Sequence, residues 1–179
     1  MRAGRWRASN SASTTMIIEG YAALFGVEDQ MRDIVRAGAF AASLARRDKP
    51  LPMLVEHDSR LLAGYWTSTR EDGRGLWLMG EIRDDLPGAA RARRMIARGV
   101  DGLSIGFVPL VQHRNAGVRT LSEIELLEVS VVTHPMQPLA RLSARANFDC
   151  VRPDAKPDAT FAGRTPPRLT LAREIARAA

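Results

Sequence analysis

The sequence predicts a mainly β chain with inserted helices (α+β), folded as one barrel- or sandwich-like domain. Three observations predict it. Short apolar runs recur between turn residues. Only one segment carries full helix punctuation. Hydrophobic residues make up 45% of 179 positions, enough for a sizeable core. In chain order, "MIIEGYAALFG" (16–26) reads as the first strand, and "GAFAASLARRD" (38–48) as a short helix with Phe40 and Leu44 one turn apart. "LPMLVEHD" (51–58) reads as a strand with its proline confined to the start. "LAGYWTSTRED" (62–72) leads through the Asp72-Gly73 turn into "GLWLMGEIR" (75–83), a hairpin by turn chemistry. "DDLPGAARARRMIARG" (84–99) is the punctuated helix, with an acidic N-cap pair, Pro87 near its start and Gly99 at its end. "LSIGFVPLVQH" (103–113), a turn at Asn115 to Gly117, and the long strand "RTLSEIELLEVSVVTHP" (119–135) complete the body.

The ends differ from this body. Residues 1–15 are small and polar and read as a disordered basic arm. Residues 145–179 read as a proline-rich basic tail ("VRPDAKPDATFAGRTPPRL") with a possible terminal helix in "LTLAREIARAA". The net charge of +6 lies wholly in these ends, because residues 16–144 carry sixteen basic and sixteen acidic side chains. A specific nucleic-acid reader is therefore not expected, since it needs a basic stripe on its folded part. No run of about 18 apolar residues is present, so no membrane helix is expected. A single cysteine, Cys150, excludes an internal disulfide and suits a reducing compartment. One cysteine and three scattered histidines supply no metal-ligand spacing, and phosphate-loop and dinucleotide fingerprints are absent; no cofactor is expected.

Strand parity assigns each polar residue a face. In "GVDGLSIGFVPL" (99–110), Leu103, Ile105 and Phe107 point to the core. Ser104 points the other way, on an open face that it shares with Gly102 and Gly106. Either the glycines mark a bulge or barrel corner, or they clear an approach for a peptide to a nucleophilic hydroxyl. The spacing matches a G-x-S-x-G elbow, but the segment continues as strand where the elbow needs a helix. His57 falls on the face of Met53 and Val55, where partial desolvation would lower its pKa and leave a neutral base; a hydrogen-bonded structural histidine is the alternative. His113, beside a polar turn, and His134, before Pro135, are its competitors. In "TLSEIELLEVSVV", Glu128 shares the apolar face of Ile124, Leu126 and Val132, whereas Glu123 and Glu125 face away. A carboxylate on an apolar face needs a partner, which a histidine or an arginine would supply. Ser130 lies on the same face and is the rival nucleophile. Nucleophile, base and orienting acid would then all come from strands, in the order His, Ser, Glu, and triads tolerate any chain order.

"GYAALFGVEDQMRDIVRAGAF", "LVEHD", "DGLSIGF" and "LLEVSVVTHP", in this order, resemble the prohead protease family of tailed bacteriophages and of phage-derived gene transfer agents. The resemblance spans about residues 17–144. It implies a herpesvirus-protease-like β-barrel flanked by helices, and a serine endopeptidase that processes the major capsid protein at its N-terminal scaffolding segment. It also implies processing of the protease's own tail, self-association as a dimer, and a site of action inside the assembling prohead, in the cytoplasm of a bacterial host. Carried over by motif, the family's histidine falls on His57 and its serine on Ser104. The third member falls on Glu128, with Glu125 as the alternative. "QMRD" replaces a more glycine-rich turn and "HPMQP" the usual proline-alanine-asparagine ending, neither touching the proposed triad. A different class of function, a catalytically inactive capsid scaffolding or assembly module, would use the basic ends and the terminal helix instead.

Overall fold

A computed structural model describes residues 14–149, with side chains described from residue 15 to residue 143. The basic arm up to Ser13, Cys150, the rest of the proline-rich tail and its expected helix lie outside the described residues. Within them the order is β1 (Thr14–Leu24), β2 (Asp33–Val35), α1 (Ala41–Ala45), β3 (Leu51–Val55), β4 (Asp58–Glu71), β5 (Gly75–Ile82), α2 (Ala89–Ala97), β6 (Gly102–Asn115), β7 (Val118–Val132) and β8 (Leu142–Asp149). The short β2 and the last strand β8 had no strand signal in the sequence. β8 pairs with β1 from Asp149 opposite Thr14 to Leu142 opposite Gly20, so paired backbone runs past the compositional boundary at 144/145.

All strands belong to one sheet, ordered β2-β7-β3-β4-β5-β1-β8, with β6 joined to β7. β7 is its axis. Along one edge it pairs antiparallel with the whole of β6. Its other edge is shared: β2 runs parallel to its first residues and β3 parallel to its last. The sheet curls until β1 approaches β6. The two are tied through the 133–141 segment, where Leu103 N–H donates to the Ala140 carbonyl (2.9 Å) and Leu142 N–H to that of Asp101 (2.8 Å). Inside the curl lie Ile18, Phe40, Met53, Trp66, Leu78, Leu103, Leu121 and Val129, essentially without exposure. Each such apolar side chain contributes about 1.5–3 kcal/mol by leaving water. Trp66 can be buried this deeply because its indole N–H donates to the Val129 carbonyl at 3.0 Å.

α2 begins later than its acidic pair suggests. Gly88 is the N-cap and no side chain caps the helix. Asp84 instead pairs with Arg93 at 2.8 Å, and Asp85 with Arg83 at 2.9 Å. The helix does end at Gly99, whose φ of +90° supplies the left-handed closing residue.

The largest departure from simple strand parity is in β7. The β7 side chains in the core cluster are Leu121, Ile124, Leu126, Val129 and Val131, spaced by three, two, three and two; Val132, at the strand end, is buried outside that cluster. The register explains this: Val111 opposes Glu123 while Gln112 opposes Leu121, and Gly106 opposes Glu128 while Phe107 opposes Leu126. Ser122 and Leu127 are thus extra residues, and each bulge reverses the face of everything beyond it. Leu127 is accordingly half exposed. Uninterrupted alternation would put Glu128 on the face of Leu126. The bulge puts it on the opposite face, with Ser130 and, across the register, Ser104 and Gly106.

Candidate active site

β6 and β7 build the floor of the site. Ser104 stands directly opposite Ser130, and Gly106 directly opposite Glu128. Opposed residues of antiparallel strands place their Cβ atoms about 4.5–5.5 Å apart on one face. These four positions are therefore one patch.

His57 reaches this patch from a turn and not from a strand face. Val55 pairs with Asp58, leaving Glu56 and His57 as a two-residue connection with φ of 52° and 58°. Positive φ at both central residues is the primed hairpin geometry that asparagine and glycine favour. Glu-His has neither, so the sequence carries no signal for it. Left-handed conformations at non-glycine residues cost of order 1–3 kcal/mol each and persist only where their surroundings hold them. Here β7 does so. Glu56 N–H donates to the Val131 carbonyl and His57 N–H to Ser130 Oγ, each at 3.1 Å. The Glu56 carboxylate accepts from Thr133 N–H at 2.9 Å and from the Thr133 hydroxyl.

The turn aims the imidazole at Glu128. His57 Nδ1 lies 2.6 Å from Glu128 Oε1, and Ser130 Oγ donates to Glu128 Oε2, also at 2.6 Å. A carboxylate only 9% exposed needs such partners, since burying an unpaired charge is costly. Ser130, fully buried, thus donates to Glu128 and accepts from the His57 backbone, and its hydroxyl is committed. The Ser104 hydroxyl has no hydrogen-bond partner among the described residues, and no bond joins it to His57. Ser104 is 4% exposed whereas the His57 side chain is 43% exposed, so the serine lies deep and the imidazole on the rim. The face of Ser104 is therefore not open, contrary to the reading from parity.

The His57 pKa also departs from the sequence expectation. It is raised above its ordinary value of 6.5: the hydrogen bond to Glu128 outweighs the burial that pulls it down. A raised folded-state value means that the pair stabilises the fold fully below about pH 6.5 and loses that effect as pH rises through the raised pKa. Glu128→Gln should abolish this difference. In thermal melts between pH 5 and pH 9, wild type should lose its margin over Glu128→Gln on going alkaline; a margin that grows would contradict the sign.

The other sequence candidates lie elsewhere. Glu125 accepts from Ser43 Oγ at 3.1 Å and pairs with Arg46 at 2.8 Å, which holds its carboxyl below the usual range. It makes no contact with His57. His113 stands near the far end of the β6–β7 hairpin opposite Thr120, and His134 follows β7. Among the described residues no group of three or more histidine, cysteine or acidic side chains is placed to hold a metal ion.

The two glycines serve the protein's own atoms. A Cβ at Gly106 would lie 2.1 Å from Glu128 Oε1, and one at Gly102 2.5 Å from the Val132 carbonyl and 2.9 Å from Pro135 Cδ. A side chain at either position would meet the protein's own atoms. Gly106 gives room to the carboxylate, and Gly102 lets the segment after β7 cross close to β6.

Residues 5–151 match the family model of the caudovirus prohead serine protease. The chain belongs to that family. Over 138 residues it is 33% identical to the prohead protease of enterobacteria phage HK97, covering 74% of this chain and 61% of that one. It therefore spans about three-fifths of the length of that relative. Among solved structures, the capsid assembly protease of bacteriophage T4 shares the fold with a TM-score of 0.54 at 16% identity, over 66% of this chain and 82% of that one. The protease of Kaposi's sarcoma-associated herpesvirus, solved with a hexapeptide phosphonate inhibitor, does so with a TM-score of 0.54 at 14% identity, over 74% and 65%. The curled, mostly β architecture with few helices is thus that of the herpesvirus-protease-like folds, as the sequence resemblance implied.

The sequence proposes His57, Ser104 and Glu128 as candidates, and three features of their setting are not read from it. Ser130 is a link between Glu128 and the His57 backbone, Glu56 clamps the turn to Thr133, and the Leu127 bulge turns Glu128 toward the site. Only the bulge left a trace in sequence, in the adjacent leucines at 126 and 127 that interrupt alternation.

Proposed function

We propose that the chain is a serine endopeptidase that shortens the major capsid protein, at its N-terminal scaffolding segment, inside an assembling phage prohead. The observation that carries this reading is the hydrogen-bonded run Ser130–Glu128–His57 set on the face of β6–β7 from which Ser104 projects. With Nδ1 bound to Glu128, the other imidazole nitrogen, Nε2, is left to act on substrate-side groups. In this mechanism Nε2 takes the Ser104 proton as Oγ bonds to the scissile carbonyl carbon. The imidazolium, stabilised by Glu128, then protonates the departing amine and the C–N bond breaks. Water, deprotonated by the same nitrogen, releases the acyl group from Ser104 and restores the hydroxyl. The missing bond between His57 and Ser104 fits this scheme, because such contacts often tighten only with substrate bound. Membership of the prohead protease family and the fold shared with a capsid assembly protease support the same substrate.

Because Nε2 must be neutral to accept the proton, the acid limb of kcat should lie above pH 6.5, and Glu128→Gln should move what activity remains to a more acidic limb.

The test is co-expression with the cognate capsid protein. Intact-mass analysis should find the capsid protein shortened from its N-terminus. A capsid protein of full length, assembled normally in the presence of the soluble chain, would instead favour the scaffolding reading.

A further inference from the structure

Beside the His57 turn lies a second depression of about 280 Å³, lined by Glu56, Thr133 and one face of α2: Arg91, Arg94, Met95 and Arg98. Their spacing of three, one and three residues keeps these four side chains on one helical stripe. The guanidinium groups of Arg91, Arg94 and Arg98 make no ion pair or hydrogen bond among the described residues. Their neighbours on α2 and the adjoining loop behave differently: Arg83 and Arg93 each have an aspartate. The carboxylates nearest the groove are also engaged. Glu56 is held by Thr133, and Asp58, which feels the Arg91 charge, is bound by Arg60 through two nitrogens. Three cations thus face one concave surface without an ion pair among the described residues, and the single carboxylate on its lining, Glu56, leaves the groove a net positive charge. The surplus is local, since residues 16–144 balance to zero.

The groove also lies within a peptide's reach of Ser104. Thr133 directly follows Val132, which opposes Gly102, and Gly102 is two residues from Ser104 along β6. At about 3.3 Å per residue that separation is roughly 7 Å along the strand. An extended peptide with its scissile bond at Ser104 would bring its second or third residue from the cut to the arginines.

We propose that this groove is a specificity site that takes an acidic side chain, Glu or Asp, two or three residues from the scissile bond of the peptide substrate. It rests on the endopeptidase reading above and adds the charge that the substrate must carry. Arginine is suited to the task because its planar fork binds a carboxylate through two parallel hydrogen bonds. Glu56, on the rim of the groove, would repel acidic side chains that enter too near the turn. The floor contributed by Met95 would accept the methylenes of a glutamate.

The test uses peptides spanning the junction cut in the capsid protein, with Glu, Gln or Lys at the second and third residues on each side. Cleavage by the wild-type chain should favour Glu over Lys at one of these positions by about tenfold or more in kcat/KM. The preference should shrink as salt rises. Arg94→Glu combined with Arg98→Glu should reverse it, while the capsid-independent fold, read by circular dichroism, stays intact because both side chains are exposed. Anisotropy with the Ser104→Ala chain measures the same preference in binding, so it is read whether or not the peptide is cut. Glu-peptide binding without cleavage would retain the groove and remove the endopeptidase reading. Cleavage with no acidic preference, or one indifferent to the charge reversal, would overturn the groove assignment. Tight binding of a single-stranded DNA oligonucleotide, lost in the same variant while peptide preference is unchanged, would overturn it as well.

Discussion

Ser104→Ala should lower kcat for capsid-protein cleavage by about 10⁴- to 10⁶-fold with little change in KM, the loss expected when one member of a nucleophile–base–acid unit is removed. The informative contrast is with Ser130→Ala. Both serines lie on one patch of β6–β7, opposite each other, and either could be taken for the nucleophile from parity alone. Their surroundings separate them. Ser130 is fully buried, donates to Glu128 and accepts from the His57 backbone N–H, so its loss would leave Glu128 short of one bond and the turn short of another. That variant should retain measurable activity, with a lower melting temperature and a changed His57 titration. The Ser104 hydroxyl holds no bond among the described residues, and its alanine variant should melt within a degree or two of wild type. A fluorophosphonate probe should modify wild type and Ser130→Ala at Ser104, and should leave Ser104→Ala unlabelled. Labelling at Ser130, or full cleavage by Ser104→Ala, would remove the mechanism.

Gly106→Ala should cost about 100-fold or more in kcat, although the residue touches no substrate in this mechanism. Its new Cβ would sit 2.1 Å from Glu128 Oε1, the oxygen that binds His57. The end of a glutamate side chain can swing away from such a clash, so the fold should survive with a small loss of stability. The carboxylate, once displaced, no longer orients the imidazole, and the His57 pKa should fall back toward 6.5. Gly106→Val should behave the same way, with a larger loss of stability. Glu128→Ala should be the more severe single change, at about 10³- to 10⁴-fold in kcat. A double-mutant cycle distinguishes this account from a role in clearing the substrate's path. If Gly106 acts through Glu128, adding Gly106→Ala to Glu128→Ala should do almost nothing further. Fully multiplicative losses would mean that the glycine serves the substrate after all.

The β6–β7 hairpin and the β4–β5 hairpin were legible because their turns carry their own chemistry. Asn115-Ala116-Gly117 and Asp72-Gly73 mark where the chain reverses, and the alternating runs between them mark what pairs. The helix end at Gly99 was legible for the same reason. β2 was not, because three residues paired in parallel to the start of β7 leave no periodicity to read. β8 was not, because its residues are compositionally those of the tail that follows, and its strand state depends on β1 lying beside it.

The candidate site divides in the same way. The sequence by itself singled out the candidates, His57, Ser104 and Glu128, in motifs whose order points to one family, and the chain matches the model of that family. It also determined the face of Ser104, because no bulge intervenes between Leu103 and Gly106. Only the tertiary structure decided how these residues meet. Parity assigned Glu128 to the wrong face, because a bulge is a property of two paired strands, and the adjacent leucines 126 and 127 alone do not place it. It assigned His57 to a strand, because the left-handed turn at Glu56 and His57 is imposed by bonds from Val131, Ser130 and Thr133 and not by local preference. It predicted a lowered pKa, because desolvation is readable from apolar neighbours whereas a 2.6 Å hydrogen bond from a residue 71 positions away is not. Local sequence encodes the preferences of single strands and turns; pairing across the sheet decides the rest.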